Sequence, residues 1–261
     1  NMVQLYHYRR LISRSNRENK IQFVFVSEWM KRITQFDCAV RVKNYHIVPN
    51  PIDDKLFHPV AKDVALRKKI LLIRPFSSKK YATDIATDMM VELKNYDFFN
   101  ELSFTVFGKG STSSRMYGLF KDCPNVSIKE GFLTQKQIKQ LHDEHGIFIA
   151  LTRQDAQGVS MCEAMSSSLV IITSNNTAIP EFVSDRVSGF LTNNVPAEAA
   201  KLIRELYEHP EVFLSISQRA SVDIKEKAGL EKVIRKEMEL INSLSSSKEK
   251  NLNRRIEQTN N

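Results

Sequence analysis

Cysteine is scarce in this chain. Its 261 residues include three, Cys38, Cys123 and Cys162, an odd number with no CxxC pair and no histidine at ligand spacing. That pattern excludes a disulfide framework and gives no structural zinc site. Long apolar runs are missing as well. No stretch approaches the roughly 18–20 residues of a membrane-spanning helix, and the N-terminal NMVQLYHYRRLISRSNRENK lacks the apolar centre of a secretion signal. Together these absences predict a soluble protein of the reducing cytoplasm. His142 and His145 flank the end of an amphipathic stretch without a third ligand nearby, so no metal is expected. A GxSxG elbow is absent, and no Ser, His and Asp set presents itself as a nucleophilic triad.

What the chain does have is enough apolar residue for a full core: 42% hydrophobic against 26% charged, which excludes disorder as the main state. Lys and Arg number 38 against 30 Asp and Glu, a net charge of +8. The excess is dispersed, with concentrations only at residues 9–20 and 62–80 and in the C-terminal tail. Without aromatic interleaving or a reading motif, nucleic acid is not expected as a partner.

Apolar runs and amphipathic stretches alternate. Strands are predicted over 21–26, 70–73, 102–107, 126–128, 147–151, 170–173 and 189–191. Helices are predicted over 28–35, 83–94, 113–120, 135–143 and 158–167, with a short turn near 178–183. Residues 46–54 hold a short strand broken by two prolines and read as a linker. Strands apolar on both faces, each followed by a helix, imply an α/β class with a Rossmann-like, doubly wound parallel sheet. From Pro196 the pattern turns helical over 196–209, 210–228 and 230–243, and a polar, frayed tail is expected from 245 to 261.

Ligands of such sheets bind at the carboxyl ends of the strands, which leaves four clusters. After the first strand of the main domain comes Arg74-Pro-Phe-Ser-Ser-Lys79-Lys80. There a guanidinium and an ammonium suit a diphosphate, although a solvated basic loop accounts for the residues equally well. Phe107-Gly108-Lys-Gly110 permits close ligand approach or a plain turn. The strongest cluster is Thr152-Arg-Gln-Asp155-Ala-Gln-Gly158-Val159-Ser160-Met-Cys-Glu163. In it two carboxylates flank the start of a helix whose free N–H groups and dipole favour an anion. The bland alternative makes Asp155 a helix cap and places Glu163 in an internal ion pair. The fourth cluster, Ser174-Asn-Asn-Thr-Ala-Ile-Pro-Glu181, reads as closing the same crevice or as an Asx/Pro turn.

Taken together these residues resemble the nucleotide-sugar-binding half of a GT-B glycosyltransferase, in particular glycosyltransferase family 4, the retaining group 1 enzymes. The order is Asp155, seven residues, Glu163-Ala164-Met165, a strand, then Pro180-Glu181. Val26-Ser27-Glu28, Val48-Pro49-Asn50-Pro51-Ile52-Asp53 with Phe57, the Arg74 and Lys79 pair, and Asn125-Val126 through Gly131-Phe132 follow the family's order too. The resemblance covers roughly residues 21–228.

It implies that Arg74 and Lys79, with Lys80 as the alternative register, hold the diphosphate of a nucleotide-sugar donor. Gly158, Val159 and Ser160 would offer backbone N–H groups, Asp155 would contact sugar hydroxyls and Glu163 the ribose. Lys129 and Phe132 would lie beside the base, and Gly108 and Glu181 would complete the donor site. No cofactor beyond the donor, and no metal, is implied. Three departures stand out: Asp155 for the usual Glu, Ser168 where glycine is common, and Thr177-Ala178 in place of a Gly-Gly turn.

By the same resemblance residues 1–50 are the remnant of an acceptor domain, 51–228 the nucleotide-sugar domain, and 229–261 a C-terminal helix and tail. The implied activity is retaining transfer of a hexose or deoxyhexose to a glycan or lipid-linked acceptor in surface polysaccharide synthesis. Implied partners are an acceptor-domain chain and the inner membrane face, touched through the basic N-terminal segment. The alternative is a non-catalytic nucleotide-binding or partner-binding module.

Overall fold

The computed structural model describes residues 2–19, 21–111 and 113–259. Eight strands and ten helices alternate along these residues. A small N-terminal unit comprises α1 (Met2–Glu18), β1 (Phe23–Phe25), α2 (Glu28–Asp37) and β2 (Tyr45–Ile47). Its two strands pair in parallel, Phe23 with Tyr45 through Phe25 with Ile47, and close over Ile12, Cys38 and Val42. No helix is predicted before residue 21, so α1 is an addition; only Ile12 and Ser15 on it are buried. Arg9, Arg10, Arg14 and Arg17 lie exposed along it, and Lys20 falls outside the described residues.

The main body is a six-stranded parallel sheet of β3 (Lys69–Ile73), β4 (Ser103–Phe107), β5 (Val126–Lys129), β6 (Ile147–Ala150), β7 (Val170–Ser174) and β8 (Phe190–Thr192). Their order across the sheet is β5-β4-β3-β6-β7-β8. The side-chain period of two divides the core between the faces. Ile70, Leu72, Ile147, Ile149, Val170 and Ile172 point to one side, where α3 (Thr83–Leu93), α4 (Ser113–Phe120) and α8 (Pro196–Glu208) cover them. Leu71, Phe148, Ala150 and Ile171 point to the other, under α6 (Val159–Ser166), α7 (Ile179–Phe182) and the later turns of α9 (Pro210–Ala228). This is the doubly wound sheet expected from the alternation of strands and helices. Between β5 and β6 lies α5 (Gln135–Glu144), opened by a capping box between Thr134 and Gln137.

The last helix, α10 (Leu230–Thr259), corrects one expectation. The polar tail continues the helix to Thr259, because after its serines the segment is rich in Lys, Glu and Arg, all good helix formers. Residues 260 and 261 lie outside the described residues. No described helix is long and apolar enough to cross a membrane.

Candidate functional site

The chain winds outward from β3 through β4 to β5, then returns to β6 and winds the other way through β7 to β8. The loops after β3 and β6 therefore diverge at the carboxyl edge of the sheet, which opens a crevice at the switch of direction. Arg74 forms its floor. Its backbone N–H extends the β3–β4 pairing to Phe107 O (3.0 Å), and its guanidinium crosses to the neighbouring strand, where Nη2 donates to Ala150 O at 3.1 Å. Only 5% of the residue is exposed, and Nε has no hydrogen-bond partner. Burial lowers its pKa, and the negative charge of Asp155 works against that. A guanidinium stays charged even so. The crevice thus contains a buried cation with an unsatisfied donor, an arrangement that costs free energy until an anion arrives.

Beyond Arg74 the chain makes a 3-10 turn over Lys79–Tyr81, capped by Ser78, whose Oγ accepts from Lys80 N at 3.3 Å. Both lysines are exposed, and it is Lys80 that shares the Tyr81 ring with Arg74, at 4.7 and 5.9 Å from the ring centre. Ala82 then enters α3 with φ of +48°, left-handed backbone that a residue with a Cβ adopts at a cost of about 1 kcal/mol.

Facing this turn is the loop from β6 into α6. Asp155 Oδ1 accepts from the N–H groups of Gly158 (2.7 Å) and Gln157 (3.2 Å), so the capping role weighed from sequence is present. Gly158 has φ of +79°, and a Cβ there would stand 3.0 Å from Ile179 Cδ1. With its N–H engaged by Asp155, Gly158 offers no free donor; those left in the first turn of α6 belong to Val159, Ser160 and Met161. Glu163, one turn further in, takes part in no ion pair among the described residues, and burial pushes its carboxyl up to about 7.

The sequence profile of the family described as glycosyl transferases group 1 matches residues 67–209, more than half of the chain. The chain belongs to this family. A relative from Erwinia amylovora, the amylovoran biosynthesis glycosyltransferase AmsK, is 30% identical over 111 residues, which is 38% of this chain and 26% of that protein. The fold matches TarM of S. aureus, solved with fondaparinux, α-GlcNAc-glycerol and UDP (TM-score 0.72, 21% identity, 86% of this chain and 44% of that one). It also matches HepE of Anabaena, solved with UDP and glucose (TM-score 0.74, 14% identity, 92% and 67%). The chain spans about a quarter of AmsK and less than half of TarM. Both are GT-B structures, and the fold of this chain matches part of them.

Against the family's pattern, two of the expected site residues are engaged elsewhere. Glu181 is engaged with α2: its oxygens accept from the N–H groups of Glu28 (2.8 Å) and Trp29 (2.7 Å) and cap that helix together with Ser27. A carboxylate at a helix N-terminus is stabilised by the same dipole that would attract a phosphate. Gly108 gives its N–H to Lys129 O at 3.2 Å, and a Cβ on it would fall 2.1 Å from Arg74 O, so its smallness serves the packing of two loops. Lys129 ends β5 at the far edge of the sheet and Phe132 follows it, 98% exposed, an aromatic face without cover.

The departures from glycine have a visible cost. Ser168 (φ +63°) and Thr177 (φ +50°) both take left-handed backbone where the family commonly has glycine. Thr177 is partly compensated, since its Oγ1 accepts from Asp155 N at 3.2 Å, which joins it to the residue that replaces the first Glu.

Several polar residues of these clusters are supports whose partners lie on other segments. Gln157, 1% exposed, pairs with both backbone groups of Asn50, accepting at 2.7 Å and donating at 2.9 Å. Thr152 is propped by Ser174 Oγ on its N–H and by the side-chain amides of Asn176 and Asn194 on its carbonyl. The Ser-Asn-Asn-Thr run after β7 thus braces the crevice from behind. His142 is packed among Phe57, Phe148 and Ser167, and burial lowers its pKa to about 3.

Proposed function

We propose that the chain carries the donor site of a glycosyltransferase that takes a sugar from a nucleotide-diphosphate sugar. The reading rests on Arg74, a cation buried at the switch point of the sheet with Nε unpartnered. A diphosphate supplies the charge and acceptors it lacks. Lys79 or Lys80 adds a second cation at the rim, and the open amides of Val159 and Ser160 add the positive end of α6. Glu163 takes the ribose hydroxyls, Asp155 the sugar hydroxyls, and Lys129 at the end of β5, with Phe132 beyond it, the base.

In the transfer step the bond from the anomeric carbon to the diphosphate breaks, the acceptor oxygen bonds to that carbon, and the proton of the acceptor hydroxyl passes to a phosphate oxygen of the leaving group. Negative charge grows on the leaving diphosphate, where Arg74 and the lysine stabilise it without reorganising. The same reading assigns retention of configuration and a glycan or lipid-linked acceptor. It divides the chain into an acceptor-side unit over 1–50, the donor domain over 51–228 and a C-terminal helix over 229–261. Further acceptor-domain contacts come from other parts of the protein or a partner chain, and the arginines of α1 give a peripheral membrane contact.

Calorimetric titration with UDP, GDP and dTDP tests the donor site. One diphosphate should bind, and Arg74→Ala should abolish the binding; failure of all three to bind refutes the reading. Binding of the matching sugar conjugate without turnover on any acceptor would select the non-catalytic alternative.

A further inference from the structure

Arg153 follows β6, lies outside every site residue named above, and makes a dense set of contacts to the opposite side of the crevice. Its Nη1 donates to Lys79 O at 2.7 Å, and its backbone N–H donates to Lys80 O at 2.7 Å. Thr152 Oγ1 adds a third bond, to Lys80 O at 3.0 Å. The guanidinium also grips Asp84, in the first turn of α3, with Nη1 and Nη2 each 2.7 Å from a carboxylate oxygen. The fork of Arg153 therefore holds both ends of the lysine turn, the carbonyl at its start and the helix that follows it.

We propose that Arg153 is a positioning residue that sets the lysine turn at the geometry a diphosphate requires. The inference rests on the donor reading given above and adds to it. Stability alone is a poor account of the arrangement, because the pair is partly exposed, 38% on Arg153 and 44% on Asp84, and such pairs contribute little to folding. The turn needs an external hold: it is three residues long and runs into left-handed backbone at Ala82. The hold also comes from the loop that leads to Asp155 and Gly158, so one side chain fixes the separation of the two halves of the phosphate site. Only a planar fork does this. A lysine at 153 has one donor centre and cannot serve both the Asp84 carboxylate and the Lys79 carbonyl in these directions.

The test is calorimetric titration of the full chain with UDP, GDP and dTDP, each against its own monophosphate. In the unaltered protein the preferred diphosphate should bind about tenfold or more tightly than its monophosphate, a preference the second phosphate earns from the lysine turn. Arg153→Ala should bring that ratio to within about threefold through loss of diphosphate affinity alone, with monophosphate affinity unchanged. Arg153→Lys should recover only part of the ratio. Asp84→Asn loosens the same fork from an exposed position, and should shift the ratio in the same direction even if Arg153→Ala folds poorly.

Equal weakening of monophosphate and diphosphate would mark Arg153 as structural and overturn the proposal. So would an unchanged ratio in Arg153→Ala and Asp84→Asn. If the unaltered chain shows no diphosphate preference for any base, the donor reading itself has failed and this inference falls with it, a result separable from the other two.

Discussion

Changing Glu163 to glutamine sets binding and stability in opposition. The carboxyl lies one turn inside α6, and burial moves it from 4.5 up to about 7, so near neutrality about half the molecules carry it protonated. A ribose diol donates two hydrogen bonds, and only the ionised form accepts on both oxygens. With a midpoint near 7 the ionised fraction rises about tenfold from pH 6 to pH 8, and affinity for a nucleotide sugar should rise by about the same factor. The sugar conjugate is the proper ligand here, since it lacks the terminal phosphate ionisation near pH 6 that a free diphosphate adds. Glu163→Gln should bind about tenfold more weakly at pH 8 and show no slope with pH.

Stability should move the other way. The folded pKa lies above the unfolded one, so the contribution of the carboxyl is fully present below the unfolded value and is lost as pH rises through about 7. Discounted for partial access to water, the loss at pH 8 is about 1–2 kcal/mol. Glu163→Gln should therefore melt above the unaltered chain at pH 8 and level with it near pH 4. Titration and thermal melting across that range check both arms. An affinity flat with pH in the unaltered chain, or a pH slope that survives in Glu163→Gln, would refute the reasoning.

Arg74→Met removes a buried cation with an unsatisfied donor, and should leave the melting temperature level or raise stability by about 1 kcal/mol while abolishing diphosphate binding. A large loss of stability would make Arg74 a structural residue. Glu181→Ala strips two hydrogen bonds from the start of α2, and should cost about 2 kcal/mol and speed amide exchange at Glu28 and Trp29 without changing diphosphate affinity. A parallel loss of affinity would return Glu181 to the donor site. Ser168→Gly relieves the left-handed backbone after α6 and should stabilise by about 1 kcal/mol, measured in chemical denaturation; a destabilised variant would show that the Ser168 side chain compensates for its φ.

The main sheet was legible because buried parallel strands are apolar on both faces and short. Runs such as Ile147–Ala150 and Val170–Ser174 admit little else. The crevice was legible for the same reason, since its residues follow those strands. The structure also combined readings that the sequence left as alternatives: Asp155 does cap the loop, and it does so within the crevice. What the sequence hid were contacts between distant segments. Glu181 reaches α2 across 153 positions and Gln157 reaches Asn50 across 107, and no local period marks either. Arg153 was hidden differently, within a motif whose carboxylates and glycine drew the attention, because its partners Lys79, Lys80 and Asp84 lie on another loop.

The stretch after β2 has a mechanical consequence. Ile52 N–H donates to Ala228 O at 2.8 Å and bridges to Gly229, so the incoming chain is fastened where α9 passes into α10. Between the end of β2 at Ile47 and that fastening lie four residues, two of them Pro49 and Pro51, with a reach of at most about 14 Å. The N-terminal unit is thus tied to the main body by a short, stiff segment that leaves little slack between them. Gln157 pins the segment itself at Asn50, Glu181 caps α2 of the unit, and Trp29 of α2 packs against the core on that side of the sheet. Gln157 belongs to the loop between β6 and α6 that borders the crevice, so a strain on the linking segment is passed to a wall of the site.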